Sequence, residues 1–180
     1  MTPRSLMATA DEVRAIRGGC AVIRRPAKTP QGIWAGIGDP VSKPPYSMGA
    51  KVGVREPYTD VDGVRVYRAD ATVPRQWRAA NTLPVTEARY RFEVIGSVCE
   101  PLHKGTGDAE GIEFTRFWRP QDTIKPGEKW GENPFQDDWY FWNHYPKLAY
   151  SRWWDSMWAR FGLSWETNPM TWGISIRLLR

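Results

Sequence analysis

The chain has 180 residues, 41% of them hydrophobic and 25% charged, a globular balance that excludes a disordered or collagen-like chain and fits one domain spanning 1–180. Lysine and arginine number 25 against 20 aspartates and glutamates, a formal net charge of +5 that mildly favours anionic partners. No apolar run approaches the roughly 18 residues of a membrane helix, Met1–Ala10 lacks the apolar core of a secretory signal, and two lone cysteines, Cys20 and Cys99, exclude a disulfide scaffold and a Cys-rich zinc site.

In chain order, the first element is a helix over 9–18. Thr9 followed by Glu12 has capping-box spacing, Val13 and Ile16 share one face, and Gly18-Gly19 supplies a left-handed stop. A short apolar stretch, Cys20-Ala-Val-Ile-Arg-Arg-Pro26, turns basic before its proline, and 27–50, rich in Gly, Pro and Ser, reads as loop. Lys51–Arg55 and Val64–Tyr67 alternate as strands, and Asp62-Gly63 between them is a strong hairpin signal. Further strands are expected over 88–98 and 171–178. Trp154, Met157, Trp158 and Phe161 recur at helical spacing and predict a helix over 151–162 that ends at Gly162.

Of 11 tryptophans, nine lie between Trp118 and Trp172. Residues 115–150 are crowded with Pro, Gly and aromatics and show no period, so they read as an aromatic-rich insertion in an otherwise β-rich domain with flanking helices. Trp154 and Trp158 fit the buried stripe of the second helix, which leaves Trp153 for the exposed side. The run Asp137-Asp-Trp-Tyr-Phe-Trp142 cannot turn every ring inward, which makes Trp139, Tyr140, Phe141 and Trp142, together with Trp153, a candidate contact surface for a protein.

Six ordered motifs resemble the phage-encoded branch of the ASCH family, in the PUA-like superfamily. They are the helix exit from Val13 to Arg24-Arg25-Pro26, Gly49-Ala-Lys-Val-Gly-Val-Arg-Glu56, Tyr67-Arg-Ala-Asp70 with Leu83-Pro84, Ala109-Glu-Gly-Ile112, Trp154-Asp-Ser-Met157 and Asn168-Pro-Met-Thr-Trp172. The resemblance implies an α+β fold, a small mixed β-barrel whose cleft faces single-stranded or modified nucleic acid, RNA foremost. The two scattered cysteines make a reducing cytosol the expected setting, that of the host if the chain is phage-encoded as the resemblance suggests, and no membrane partner and no cofactor are expected.

One branch of that family resembles an acetylcytidine amidohydrolase that uses a Lys-Thr-x-Thr run and a glutamate. Here Cys20, Ala21 and Ile23 stand at the Lys and Thr positions and only Glu110 matches, so that hydrolysis is expected to be lost. Cys20 has two readings, a replacement nucleophile beside Arg24 and Arg25 or a small buried hydrophobe. The two histidines, His103 and His144, form no pattern with the cysteines, so no catalytic set and no metal site is expected.

Arg24 and Arg25, on extended backbone before a proline, are expected to be accessible and either bind phosphate or serve as solvated charges. Arg75 and Arg78 flank Trp77, a pattern suited to a stacked base or to a packed ring covered by arginine stems. Glu110 either faces the ligand or ties its own turn. Arg55 and Glu56 are expected to pair. The expected function is therefore a non-catalytic module that binds nucleic acid through Arg24, Arg25, Arg75, Trp77, Arg78 and Glu110. The alternative is an interaction module or inhibitor that binds a host nucleic-acid-handling or defence complex through its Trp-rich surface.

Overall fold

The computed structural model describes residues 4–72, 75–105 and 146–179. Glu110, His144, the 137–142 aromatic run and nearly all of the 115–150 insertion lie outside them. The described residues form a mixed α+β fold, mostly sheet, with two helices. In order these are β1 (Arg4–Met7), α1 (Ala10–Arg17), β2 (Val22–Pro26), β3 (Lys51–Arg55), β4 (Tyr58–Val61), β5 (Val64–Tyr67), β6 (Arg91–Pro101), α2 (Pro146–Trp158) and β7 (Met170–Leu179).

Helix α1 starts as its sequence dictates. The Thr9 hydroxyl accepts from the Glu12 N–H at 3.3 Å while a Glu12 carboxylate oxygen accepts from the Thr9 N–H at 2.9 Å, a complete capping box. The stop is shared by the two glycines. Gly18 is the right-handed cap, and Gly19, at φ +92°, takes the left-handed conformation that releases the chain toward β2.

Five strands make one sheet in the order β1-β3-β6-β7-β2, with β1 parallel to β3 and all other pairs antiparallel. Both edge strands, β1 and β2, come from the first 26 residues. Neither was expected from the sequence: β1 is four residues long, and β2 carries two arginines where an alternating pattern expects one. Among the described residues no strand pairing closes this sheet into a barrel. Instead the Arg25 guanidinium of β2 reaches the Met7 carbonyl of β1 at 3.3 Å, so a side chain bridges the two edges.

The Asp62-Gly63 turn forms as expected, with φ of 50° and 78°, but it joins β4 to β5 rather than β3 to β5. That hairpin is a separate two-stranded sheet, so the expectation that residues 64–67 join the main sheet is corrected. The glutamate that follows β3 is also paired differently from expectation. Glu56 is fully buried and takes two bonds from Arg89, at 3.0 and 2.8 Å, rather than pairing with Arg55.

Two apolar clusters share α1. Its Val13 and Ile16 pack on the sheet through Val52, Val54, Phe92, Val94, Ile174 and Ile176. Its Ala15 joins Leu102, Tyr150, Trp153 and Trp154 beneath α2. Of the stripe expected on α2, Trp154 is fully buried, its indole N–H donating to the Leu163 carbonyl at 2.7 Å, whereas Met157 and Trp158 are half-buried and Phe161 is exposed. Trp153 is buried as well, at 2% exposure, against expectation. It stacks on Tyr150 with centroids 5.3 Å apart and borders the same small void as Ala15 and Ile16 of α1, so a second wall covers the face that was expected to be wet. After α2 a single 3-10 turn, Ala159–Phe161, ends at Gly162 with φ 74°, as the stop signal predicts.

Candidate functional site

Strand alternation sends the two arginines of β2 to opposite faces. Arg24 pairs with Gly173 of β7 across the strands and lies 5% exposed, its guanidinium 2.9 Å from Glu100 and 3.0 Å from the Thr171 hydroxyl. A side chain at Gly105 would meet it at 2.9 Å, so the guanidinium lies flat against glycine backbone. The expectation that Arg24 is accessible is thereby corrected. It is an internal ion-pair residue, because a buried guanidinium needs a carboxylate beside it.

Arg25 turns the other way, beside Trp172 of β7. Its Nη1 donates to Glu12 at 2.5 Å and to the Arg24 carbonyl at 2.8 Å, and its Nη2 donates to Met7. These bonds hold the group rigidly at 14% side-chain exposure, also less open than expected. Five donors are available on a guanidinium. Among the described residues these bonds take three of Arg25's.

Arg25 and Glu12 lie at the base of an open cleft of about 710 Å³. One wall is the loop after β2, with Lys28, Trp34, Lys43 and Tyr46; the other is the end of α2 and its 3-10 turn, with Trp158, Arg160 and Phe161; Trp172 contributes from β7. The loop wall has a legible cause. Thr29-Pro30-Gln31-Gly32 makes a tight turn, with the Gly32 N–H donating to the Thr29 carbonyl at 2.9 Å and Gly32 at φ +84°. That turn sets Lys28 opposite Trp34 as a bridge pair. The Lys28 ammonium then lies 4.5 Å from the centre of the Trp34 ring. Trp34 meets Trp158 edge-on at 6.3 Å, Trp158 leans on Phe161 at 6.1 Å, and Arg160 stacks over Phe161 at 4.7 Å.

Four cations in this lining, Arg25, Lys28, Lys43 and Arg160, face one carboxylate, Glu12, which Arg25 already neutralises. Lys28, Lys43 and Arg160 are exposed, so positive charge sits at the rim and aromatic surface lies between. Tyr46 donates its hydroxyl to the Ser5 carbonyl at 2.9 Å. Burial pushes its pKa up against the opposing pull of Arg25, which keeps the phenol neutral at physiological pH. Among the described lining residues there is no histidine and no cysteine, and both Glu12 oxygens are engaged. The described lining thus combines cations with aromatic rings, and its one carboxylate is hydrogen-bonded through both oxygens.

The remaining candidates lie elsewhere. Cys20 packs between the two apolar clusters and borders a void of about 10 Å³ together with Ile23, Arg24 and Trp153, outside the large cleft. Trp77 is half-buried between exposed Arg75 and Arg78. Arg78 pairs its backbone with Tyr58 and sets its guanidinium 3.4 Å from Asp60 and 5.6 Å from the Tyr58 ring centre, so its stem and charge serve the β4–β5 hairpin. None of these three residues lines the cleft that Arg25 lines. Trp153 is withdrawn from any contact surface by its burial, while Glu110, Trp139, Tyr140, Phe141 and Trp142 lie outside the described residues. His103 packs on Trp165 with centroids 4.5 Å apart and a ring nitrogen 2.8 Å from that residue's carbonyl. Among the described residues no three His, Cys, Asp or Glu side chains group as metal ligands, and no helix is long and apolar enough to cross a membrane.

Compared with known proteins, the chain matches no family model, no curated protein and no solved structure.

Proposed function

We propose that this chain is a non-catalytic module that holds single-stranded nucleic acid in the cleft between the loop after β2 and the end of α2. One observation carries the reading: three exposed cations, Lys28, Lys43 and Arg160, are interleaved with the rings of Trp34, Trp158 and Phe161 around one opening. Cations that track a backbone and ring faces that accept bases are the two elements of single-strand binding, each stacked base contributing about 1–3 kcal/mol. A cleft of about 710 Å³ lies in the range of small-ligand sites, large enough for one or two nucleotides.

The ordered motifs support placing the chain with phage-type ASCH domains of PUA-like architecture, with RNA as the favoured strand and the host cytoplasm as the setting. The positions of that family's Lys-Thr-x-Thr run lie outside the cleft lining, in keeping with binding without deacetylation. The site residues of the proposal are thus Arg25, expected from the sequence, joined by Lys28, Trp34, Lys43, Trp158, Arg160, Phe161 and Trp172. The competing reading, a host-protein contact through Trp139, Tyr140, Phe141 and Trp142, rests on residues that lie outside the described ones.

Fluorescence anisotropy with a labelled octauridylate tests the proposal at low salt. Saturable binding is expected, with octathymidylate weaker and a duplex of equal length a poor competitor. Absence of single-strand binding, or equal competition by the duplex, overturns it. A companion variant, Arg75→Ala with Trp77→Ala and Arg78→Ala, is expected to bind octauridylate within about twofold of wild type, because those side chains lie outside the cleft. A larger loss would return the site to its sequence-expected place.

A further inference from the structure

We infer that Lys28 is the specificity-determining residue of this cleft: its ammonium covers the face of Trp34, so a base stacks there more tightly when the same ligand brings a phosphate to draw the ammonium away. The inference rests on the nucleic-acid reading of the cleft and adds a rule of admission to it. Bare nucleosides and uncharged ring ligands are disfavoured, by roughly two- to fivefold. Nucleotides within a phosphodiester chain are admitted.

The argument starts from what already occupies the ring faces. Lys28 lies 4.5 Å above Trp34, and Trp158 stands edge-on to that same ring at 6.3 Å. The main chain of Lys28 is fixed while its side chain is exposed. The Lys28 carbonyl accepts from the Ser42 N–H at 2.6 Å, and the bonds of Thr29 with Ile33 and of Ala35 with Ala27, at 2.8 and 3.0 Å, hold the strands of the turn. The ammonium can therefore swing on four single bonds while its anchor stays in place.

A ligand without charge must displace the ammonium and gains nothing for it, which weakens binding by the worth of one exposed cation–ring contact, roughly two- to fivefold. A phosphate offers the ammonium a better partner, a charge-assisted contact, and leaves the Trp34 face open for the base. A stacked base then strengthens binding by roughly 5- to 150-fold. Phosphate and base recognition are coupled through one side chain with two alternative partners.

The sign of one mutation separates this role from plain phosphate binding. Two labelled octauridylates serve as probes, one with the natural phosphodiester backbone and one with an uncharged methylphosphonate backbone. Lys28→Ala is expected to weaken the natural octamer and to strengthen the uncharged one by roughly two- to fivefold. Adding Trp34→Leu to Lys28→Ala is expected to abolish that gain. If Lys28 only contacts phosphate, the uncharged octamer is bound no better by the variant; that result, undetectable binding included, overturns the inference and leaves the proposed function standing. A gain that survives Trp34→Leu overturns it too. Failure of the wild type to bind the natural octamer removes the proposed function and the inference together.

Discussion

Arg89→Ala is expected to destabilise the fold by about 3–5 kcal/mol, read as a drop in the urea midpoint at unchanged slope. The reason lies in Glu56, which is 0% exposed and takes both its bonds from Arg89, through Nε at 3.0 Å and Nη2 at 2.8 Å. Removing the guanidinium leaves a buried carboxylate without its ion-pair partner. Arg89 also reaches Asp70 at 2.5 Å, which in turn pairs with Arg17 of α1, so the same side chain ties the hairpin region to the first helix. Burial opposes charge on this arginine, but the bonds to Glu56 and Asp70 outweigh it and its pKa is held above the ordinary arginine value. A double replacement, Arg89→Met with Glu56→Leu, is expected to recover part of the loss, because the buried charge leaves with its partner. A loss under about 1 kcal/mol for Arg89→Ala would show that Glu56 finds another partner.

The second large effect is on binding. Replacing Lys28, Lys43 and Arg160 together by alanine is expected to weaken octauridylate binding on the order of a hundredfold at low salt, at about 1 kcal/mol per lost contact. It is also expected to flatten the salt dependence by roughly two units of slope, since each single-strand phosphate contact contributes about 0.7. Stability should be unaffected, because all three side chains are exposed. A variant that folds normally and binds as the wild type does would move the site elsewhere. Among the described lining residues these cations are three of four, and the fourth, Arg25, is already paired with Glu12.

Features whose cause is local are legible in the sequence. The Thr9–Glu12 capping box, the Asp62-Gly63 turn and the helix that buries Trp154 each depend on residues within a few positions of one another, and each forms. What was missed depends on partners distant in sequence. Strand β4 is recognisable only once the turn is known to fold backward onto Tyr58–Val61 rather than onto β3. Trp153 is buried because α1 covers its face of α2, which no period within α2 can reveal.

The cleft is the extreme case. Its residues run from Glu12 to Trp172 and meet because β2 pairs with β7, setting Arg25 beside Trp172, and because the loop after β2 faces the end of α2. Arg24 and Arg25 were read as a pair with one role, yet the period of a strand alone assigns them to opposite faces. Trp77 between two arginines resembled a binding motif more closely than Lys28 and Trp34 did. The turn that joins the latter pair, Thr29-Pro30-Gln31-Gly32, was nonetheless visible in the sequence as a proline–glycine signal inside the loop.

The most direct test of where a strand sits is photocrosslinking with an octauridylate that carries 4-thiouridine, followed by mass spectrometry of the adducts. Seated in the cleft, the strand is predicted to label the rings that line it, Trp34, Tyr46, Trp158, Phe161 and Trp172. Labelling confined to Trp77 or to the 137–142 aromatic run, with these five unlabelled, would contradict the account.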